Sequence, residues 1–466
     1  MKKFLILLLL SLQVTAQEYS VKKGLVVDSL KVSDTLSETY ALYLPTSFSN
    51  TKNWPVIFLF DPEGRGKSVA QLFKPVAQEQ GYLLVSSNDI SSENELEENI
   101  KIAARLVSSV SPGLPVDYQQ VVVVGSLDGA KVATYLPLMF SNIFGVLAAG
   151  NQFLNLDLLD RKNDFAFIGI VGDEQFSVTA MNLTAAALQN QKHLSMIYTY
   201  EGGSDWPKLD LISSAVGSLS LEAMRNQFRP TNLELVNKLY QADISRVNRM
   251  MSNQKLLEAW DLLELMDDKY DKLKDLDEVE QKQNQLRRSR SFLEQRREQE
   301  AVILKEDQLK SDFFYYFQED VKTANFENLG WWNYQNIKLD SLAQKGGSEG
   351  KMAKRLKGFV KEMAKVTLED FQKKNPELEN ELIANMILTI FDSKNYKAYK
   401  RIITLSSQDN DFSTALFYFE EMLKHGYRDK EGVYNIDGTL ALKMTPDFNW
   451  LVEKYIGTPK FYDIEN

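Results

Sequence analysis

The chain has 466 residues, more than one ordinary domain holds, so two or three units are expected. Hydrophobic residues make up 44% and charged residues 25%, proportions that exclude wholesale disorder. Asp+Glu at 64 exceed Lys+Arg at 54, for a net charge of -10 with no basic block, so nucleic acid and anionic lipid are not expected partners.

The absence of cysteine removes disulfides, thiolate metal sites, a Cys nucleophile and a lipid-modified N-terminal Cys. Histidine occurs twice, at His193 and His425, and no metal or cofactor is expected. The chain opens with Met1-Lys2-Lys3, an apolar run from Phe4 to Leu10, and Val14-Thr15-Ala16, a small-residue cleavage pattern. Residues 1–16 therefore read as a cleavable export leader, too short to span a bilayer comfortably. Its removal near Gln17 takes Lys2 and Lys3 with it and leaves a net charge of -12. No later run is long enough for a membrane helix, so a periplasmic or envelope-associated protein is expected, not a lipoprotein.

From Gln17 to Arg229, short β-rich runs alternate with helical stretches. The runs are Leu25–Asp28, Tyr40–Leu44, Val56–Phe60, Tyr82–Ser86, Val121–Val124, Phe144–Ala148, Phe165–Val171 and Leu194–Thr199. Several are continuously apolar, as strands buried on both faces of a parallel sheet are. Glu95–Val110, Ala130–Phe140 and Thr179–Gln189 are long enough to be crossover helices. The pattern predicts an α/β layer fold with an eight-stranded, mostly parallel sheet. The acidic run Glu93–Glu98 reads as a solvated helix start, and the sequon Asn182-Leu183-Thr184 falls in an expected helix.

The fifth run continues as Val124-Gly125-Ser126-Leu127-Asp128-Gly129-Ala130: a buried strand, a glycine-bracketed turn and a helix start. This resembles the nucleophile elbow of the α/β-hydrolase superfamily, particularly its esterase-like and depolymerase-like members. The pattern there is Gly-x-nucleophile-x-Gly, with glycines that permit a tight strand-to-helix turn. Gly125 and Gly129 match the outer positions, and Leu127 stands at the centre. Leucine has no lone pair with which to attack a carbonyl. By the same resemblance, Asp61-Pro62-Glu63-Gly64-Arg65-Gly66 sits where the family places its oxyanion-hole loop. Asp173 stands where it carries the triad acid, and Ser204, ahead of Trp206-Pro207, stands where it carries the catalytic histidine. Leu127, Asp173 and Ser204 are thus expected to be the degenerate positions of a lost triad.

His193 precedes the last strand and so belongs at the opposite end of the sheet, and His425 lies in the second half. Three alternatives keep a catalyst: Ser126 as nucleophile, Asp128 in a frame one residue on, or Ser204 with Asp205 and Asp173. Val124 and Asp128 are too bulky to flank Ser126, and the Asp128 frame leaves Gly125 and Gly129 without a purpose.

After Pro230 the composition turns to Leu, Glu, Lys, Gln and Arg, and Asn232–Met251, Leu256–Leu273 and Glu278–Gln318 read as helices. The last is expected to pair as an antiparallel hairpin with Leu256–Leu273. Gly346-Gly347-Ser348-Glu349-Gly350 reads as a flexible break, dividing a long-helix region, 230–345, from a helical region, 346–466. Trp331-Trp332-Asn333-Tyr334 is a candidate aromatic anchor or core element. Tyr399-x-x-Ile402-Ile403, Ala415-x-x-x-Phe419-x-x-Met422 and Gly426 resemble about one tetratricopeptide repeat, departing from it at Ile403, Ser406 and Tyr427. That resemblance implies a protein partner bound by the helical half, within an envelope complex. The expected function is a catalytically inactive, hydrolase-like exported protein acting as a scaffold or recognition subunit. The alternatives are an exported esterase or peptidase with non-standard residues, and an adaptor whose helices alone bind.

Overall fold

The computed structural model describes residues 22–152, 164–203, 206–374 and 376–461. The expected leader, residues 1–16, and the expected base position, Ser204, lie outside the described residues.

All eight apolar runs form strands: β1 Val26–Lys31, β2 Thr39–Tyr43, β3 Trp54–Phe60, β4 Leu83–Ser87, β5 Val116–Ser126, β6 Ile143–Ala149, β7 Ala166–Gly172 and β8 Ser195–Tyr200. They make one sheet in the order β1-β2-β4-β3-β5-β6-β7-β8. The pairings from β4 through β8 are parallel, and β2 runs antiparallel to both its neighbours.

Residues of the central strands point alternately to two cores. Val122 and Val124 of β5 face one, Val121 and Val123 the other. The second face is covered by α2 (Leu96–Val110), α3 (Asp128–Met139) and α4 (Val178–Asn190). The first is covered by α1 (Gly66–Gln80) and α5 (Leu209–Arg225), and its core then continues past Arg229. It takes in Leu239 and Ile244 of α6 (Leu233–Ser252), Leu263 and Met266 of α7 (Leu256–Tyr270), Val279 of α8 (Asp277–Arg287) and Phe292 at the start of α9 (Arg290–Thr323). The compositional border at Arg229 is therefore not an edge of the hydrophobic core.

A buried ionic group fastens this junction. Lys269 of α7, with no solvent exposure, donates to Asp243 Oδ2 of α6 at 2.8 Å and to Ser214 Oγ of α5 at 2.8 Å. Tyr270 donates to the same carboxylate at 2.7 Å. Burial opposes the charge on Asp243, yet Lys269, Arg246 and Tyr270 outweigh it and hold its pKa below the usual range.

The expected long helix 278–318 is interrupted at Arg288–Ser289, where the Ser289 side chain caps α9 through the Phe292 N–H. α7 packs against α8 and α9 together. α10 (Leu329–Lys345) is joined to α11 (Gly347–Lys374) by Gly346 and Gly347, at φ 71° and 65°. The glycines expected to form a flexible break form a tight reversal between antiparallel helices instead, for which their left-handed backbone is suited. α9, α10, α11 and α12 (Leu378–Phe391) enclose a separate core. Trp332 is fully buried in it and donates from its indole to Asp320 at 2.8 Å, while Tyr334 is exposed. α13 (Tyr396–Gln408) and α14 (Phe412–Lys424) form a hairpin that buries Tyr399, Ile403, Ala415, Phe419 and Met422, and three short helices complete the described chain.

Candidate functional site

The parallel strands β3, β5, β6, β7 and β8 release their loops on one edge of the sheet, and the expected site residues Leu127 and Asp173 lie there. At the end of β5 the chain turns into α3 through Leu127, whose backbone sits at φ 48° and ψ −115°. A β-carbon side chain rarely adopts that conformation, which costs on the order of 1–3 kcal/mol. The two flanking glycines make the turn possible. A Cβ on Gly125 would lie 2.0 Å from the Gly129 carbonyl oxygen, and one on Gly129 would lie 2.2 Å from that of Phe60. The backbone thus makes a sharp, glycine-bracketed strand-to-helix turn, the shape that the resemblance to a nucleophile elbow predicts, with a leucine at its apex. Leu127 is half-buried, with its side chain by Gly150 at the end of β6 and near Gln175.

The loop after β3 is arranged around Asp61, which is fully buried. Its carboxylate accepts from Arg65 Nε at 3.1 Å, Arg65 Nη2 at 3.0 Å, the Glu63 N–H at 3.0 Å and Trp206 Nε1 at 2.7 Å. Burial alone would raise its pKa, but the hydrogen bonds from Arg65, Trp206 and Glu63 prevail and lower it. The Gly64 N–H is also taken, by the Asp61 carbonyl at 3.1 Å. The N–H groups of Glu63 and Gly64 therefore serve the loop's own fold. Trp206 stacks edge-on against Phe73 at 5.4 Å and ties the turn after β8 to the loop after β3.

Asp173 follows β7, where the resemblance places the triad acid. Its Oδ1 accepts from the Gly202 N–H at 3.3 Å, so it bridges the ends of β7 and β8. Its Oδ2 meets a residue the sequence did not single out: Lys351 Nζ of α11, at 2.7 Å. Arg355, one turn on, donates from Nη1 to the Asp173 carbonyl at 2.6 Å. The same guanidinium forks onto Glu306 of α9, with Nε 3.1 and 2.9 Å from its two oxygens. Lys354 pairs with Glu174 at 2.7 Å. Gly358 lies against Phe176, where a Cβ would come within 3.1 Å of the ring-bearing carbon. Further along α11, Glu362 reaches Lys131 of α3 at 3.5 Å.

From Lys351 to Glu362, α11 advances about 16 Å, a rise of about 1.5 Å per residue. It therefore runs along the loop edge of the sheet, from the end of β7 to the helix behind the elbow. Nothing in the sequence marked Lys351 or Arg355, because each reads as an ordinary helix-surface cation.

The other candidates are placed as follows. Ser126 is buried at the end of β5. Asp128 pairs with Lys131 at 3.0 Å at the start of α3. His193 precedes β8, at the opposite end of that strand from Gly202, with its ring 5.7 Å from Phe165. His425 ends α14. Among the described residues no group of three His, Cys, Asp or Glu side chains is placed to hold a metal ion. No described helix is long and apolar enough to cross a membrane.

A large cavity, about 1540 Å³, opens at the ends of β7 and β8. It lies between the ends of β7 and β8, the α6–α7 turn, α9 and the start of α11, and Leu127 is not part of its wall.

No family model and no curated protein matches the chain. Among solved structures, an S-formylglutathione hydrolase from Staphylococcus aureus is 10% identical, with 42% of this chain and 95% of that one covered and a TM-score of 0.34. Esterase 2 of Thermogutta terrifontis is 14% identical over 45% of this chain and 96% of its own, with a TM-score of 0.33. A fungal esterase from Rhizomucor miehei is 11% identical over 42% and 84%, with a TM-score of 0.34. Overlaps this loose carry no argument about chemistry. Strand order and the glycine-bracketed turn identify the architecture of the first half as α/β-hydrolase-like, with a helical region of many helices following it.

Proposed function

We propose that this chain is a catalytically inactive, hydrolase-like protein that serves as a scaffold or recognition subunit of a protein complex. The reading carries with it export by a cleavable leader, a periplasmic or envelope setting, and partner binding through the helical half with its tetratricopeptide-like hairpin. The observation that carries it is Leu127 at the apex of an otherwise intact elbow. An alkyl side chain there offers neither a nucleophile nor a proton to a base. Two further features support it. The loop after β3 spends the N–H groups of Glu63 and Gly64 on Asp61. Asp173, which would orient a histidine in a working triad, is engaged by Lys351. Two of the non-standard nucleophiles are poorly placed for the esterase alternative: Ser126 is buried, and Asp128 is engaged by Lys131, while Ser204 and Asp205 lie outside the described residues.

The test is chemical. Purified protein offered p-nitrophenyl esters should give no turnover above buffer, and a fluorophosphonate probe should leave it unlabelled. Labelling abolished by Ser126→Ala or Ser204→Ala would overturn the inactive reading in favour of a non-standard esterase.

A further inference from the structure

The cavity at the ends of β7 and β8 exceeds the roughly 300–1,000 Å³ of ordinary small-molecule sites, which points to a chain segment as its occupant. Its wall is mixed. Large aliphatic side chains are presented to solvent there, Leu183 of α4 at 67% exposure and Ile303 of α9 at 45%. Beside them the side-chain amides of Asn182, Asn253 and Gln299 make no hydrogen bond among the described residues. Amides next to aliphatic surface match the alternation of peptide group and side chain along an extended polypeptide.

The charges decide which polypeptide. Most of the wall's ions are already paired: Lys351 with Asp173 and Glu258, Lys255 with Glu201, Arg355 with Glu306, and Arg246 with Asp210. Among the described residues Asp261, Glu298 and Asp307 have no ion-pair partner, whereas Lys208 and Arg249 are the cations without one. Over the whole wall eight carboxylates face six cations, so the excess is acidic. Asp261 lies exposed in the cavity, where desolvation of its carboxyl first, and then Glu264 and Glu258, push its pKa up to about 7. A cation delivered beside it would restore the ionised form.

We propose that this cavity is a docking cleft for an extended segment of a partner protein bearing lysine or arginine side chains. The cleft names the partner's chemistry within the recognition role above and rests on that role, though not on the identity of the residue at the elbow. Aliphatic side chains of the segment pack on Leu183 and Ile303, its peptide groups meet the free amides, and its cations meet Asp261 and Glu298.

The experiment uses the full chain and three fluorescein-labelled peptides of equal length, built from Val-Lys-Ser, Val-Asn-Ser or Val-Asp-Ser repeats, read by fluorescence anisotropy. The lysine peptide is expected to bind best and the aspartate peptide worst. Asp261→Asn combined with Glu298→Gln should weaken the lysine peptide by about fivefold to thirtyfold, as the loss of two partly shielded ion pairs implies. Asp312→Asn with Glu319→Gln, the same charge change on an exposed stretch of α9 away from the cavity wall, should leave it unchanged. Equal binding of the three peptides, no binding at all, or the same loss in both double variants would overturn the proposal. The recognition reading fails separately: a lysine peptide that binds the cleft and is cleaved there keeps the docking site and sinks the inactive reading.

Discussion

Removing one member of the buried pair Lys269–Asp243 tests whether α6 and α7 are fastened to the sheet as one cooperative unit. In Lys269→Met the aliphatic stem is kept and the charge is lost. Asp243, 1% exposed, would retain the Tyr270 and Ser214 hydroxyls and an Arg246 nitrogen at 3.9 Å, but not the ammonium at 2.8 Å. Breaking a buried pair in this way costs about 3–5 kcal/mol, because a charge is left without its counterion. Asp243→Asn, which strands Lys269 instead, should cost a similar amount. The double variant strands neither and should cost only about 1–2 kcal/mol, the residue of imperfect hydrogen bonding. At about 2–4 °C per kcal/mol, each single variant should melt roughly 6–20 °C below the parent, with the double variant recovering most of the loss. Circular dichroism melts of the four proteins at neutral pH measure this directly. A double variant as unstable as the two singles added together would refute the reasoning, as would single variants within about 2 °C of the parent.

Four further outcomes follow from the same geometry. Gly129→Ala places a Cβ 2.2 Å from the Phe60 carbonyl oxygen and should cost about 3 kcal/mol or more, read as a drop in denaturation midpoint. Lys351→Ala removes an ion pair whose partners are 30% and 19% exposed, so it should cost about 1 kcal/mol; a loss as large as that of Lys269→Met would contradict screening of this pair by solvent. The folded pKa of Asp261, about 7, lies above its unfolded value, so the native state holds a proton that the unfolded chain releases. The resulting penalty is absent below about pH 4 and grows up to about pH 7. Asp261→Asn should accordingly raise the melting temperature at pH 8 and leave it unchanged near pH 4; the charged groups that face it are Glu264 and Glu258. For the buried pair the signs are the usual ones: its contribution is lost as acid reaches the lowered pKa of Asp243, and as base reaches the raised pKa of Lys269.

Much of the architecture was legible in the residues. Continuous runs such as Val121–Val124 and Phe165–Val171 announce strands buried on both faces, since a half-exposed strand would alternate. The elbow was legible because Gly125 and Gly129 bracket one short turn, although the Phe60 carbonyl that Gly129 must clear lies on another strand, and its leucine is an identity that no folding alters. Tertiary structure alone decided how the second half meets the first. Lys269 and Asp243 look like solvated helix positions until three helices close around them, and Lys351, Arg355 and Gly358 are ordinary residues of a polar helix until it lies along β7. Periodicity reports only the face a helix turns inward, not the surface that receives it; that choice belongs to long-range packing, which brought Lys351 to Asp173 across 178 positions of chain and left a cavity between them and α6.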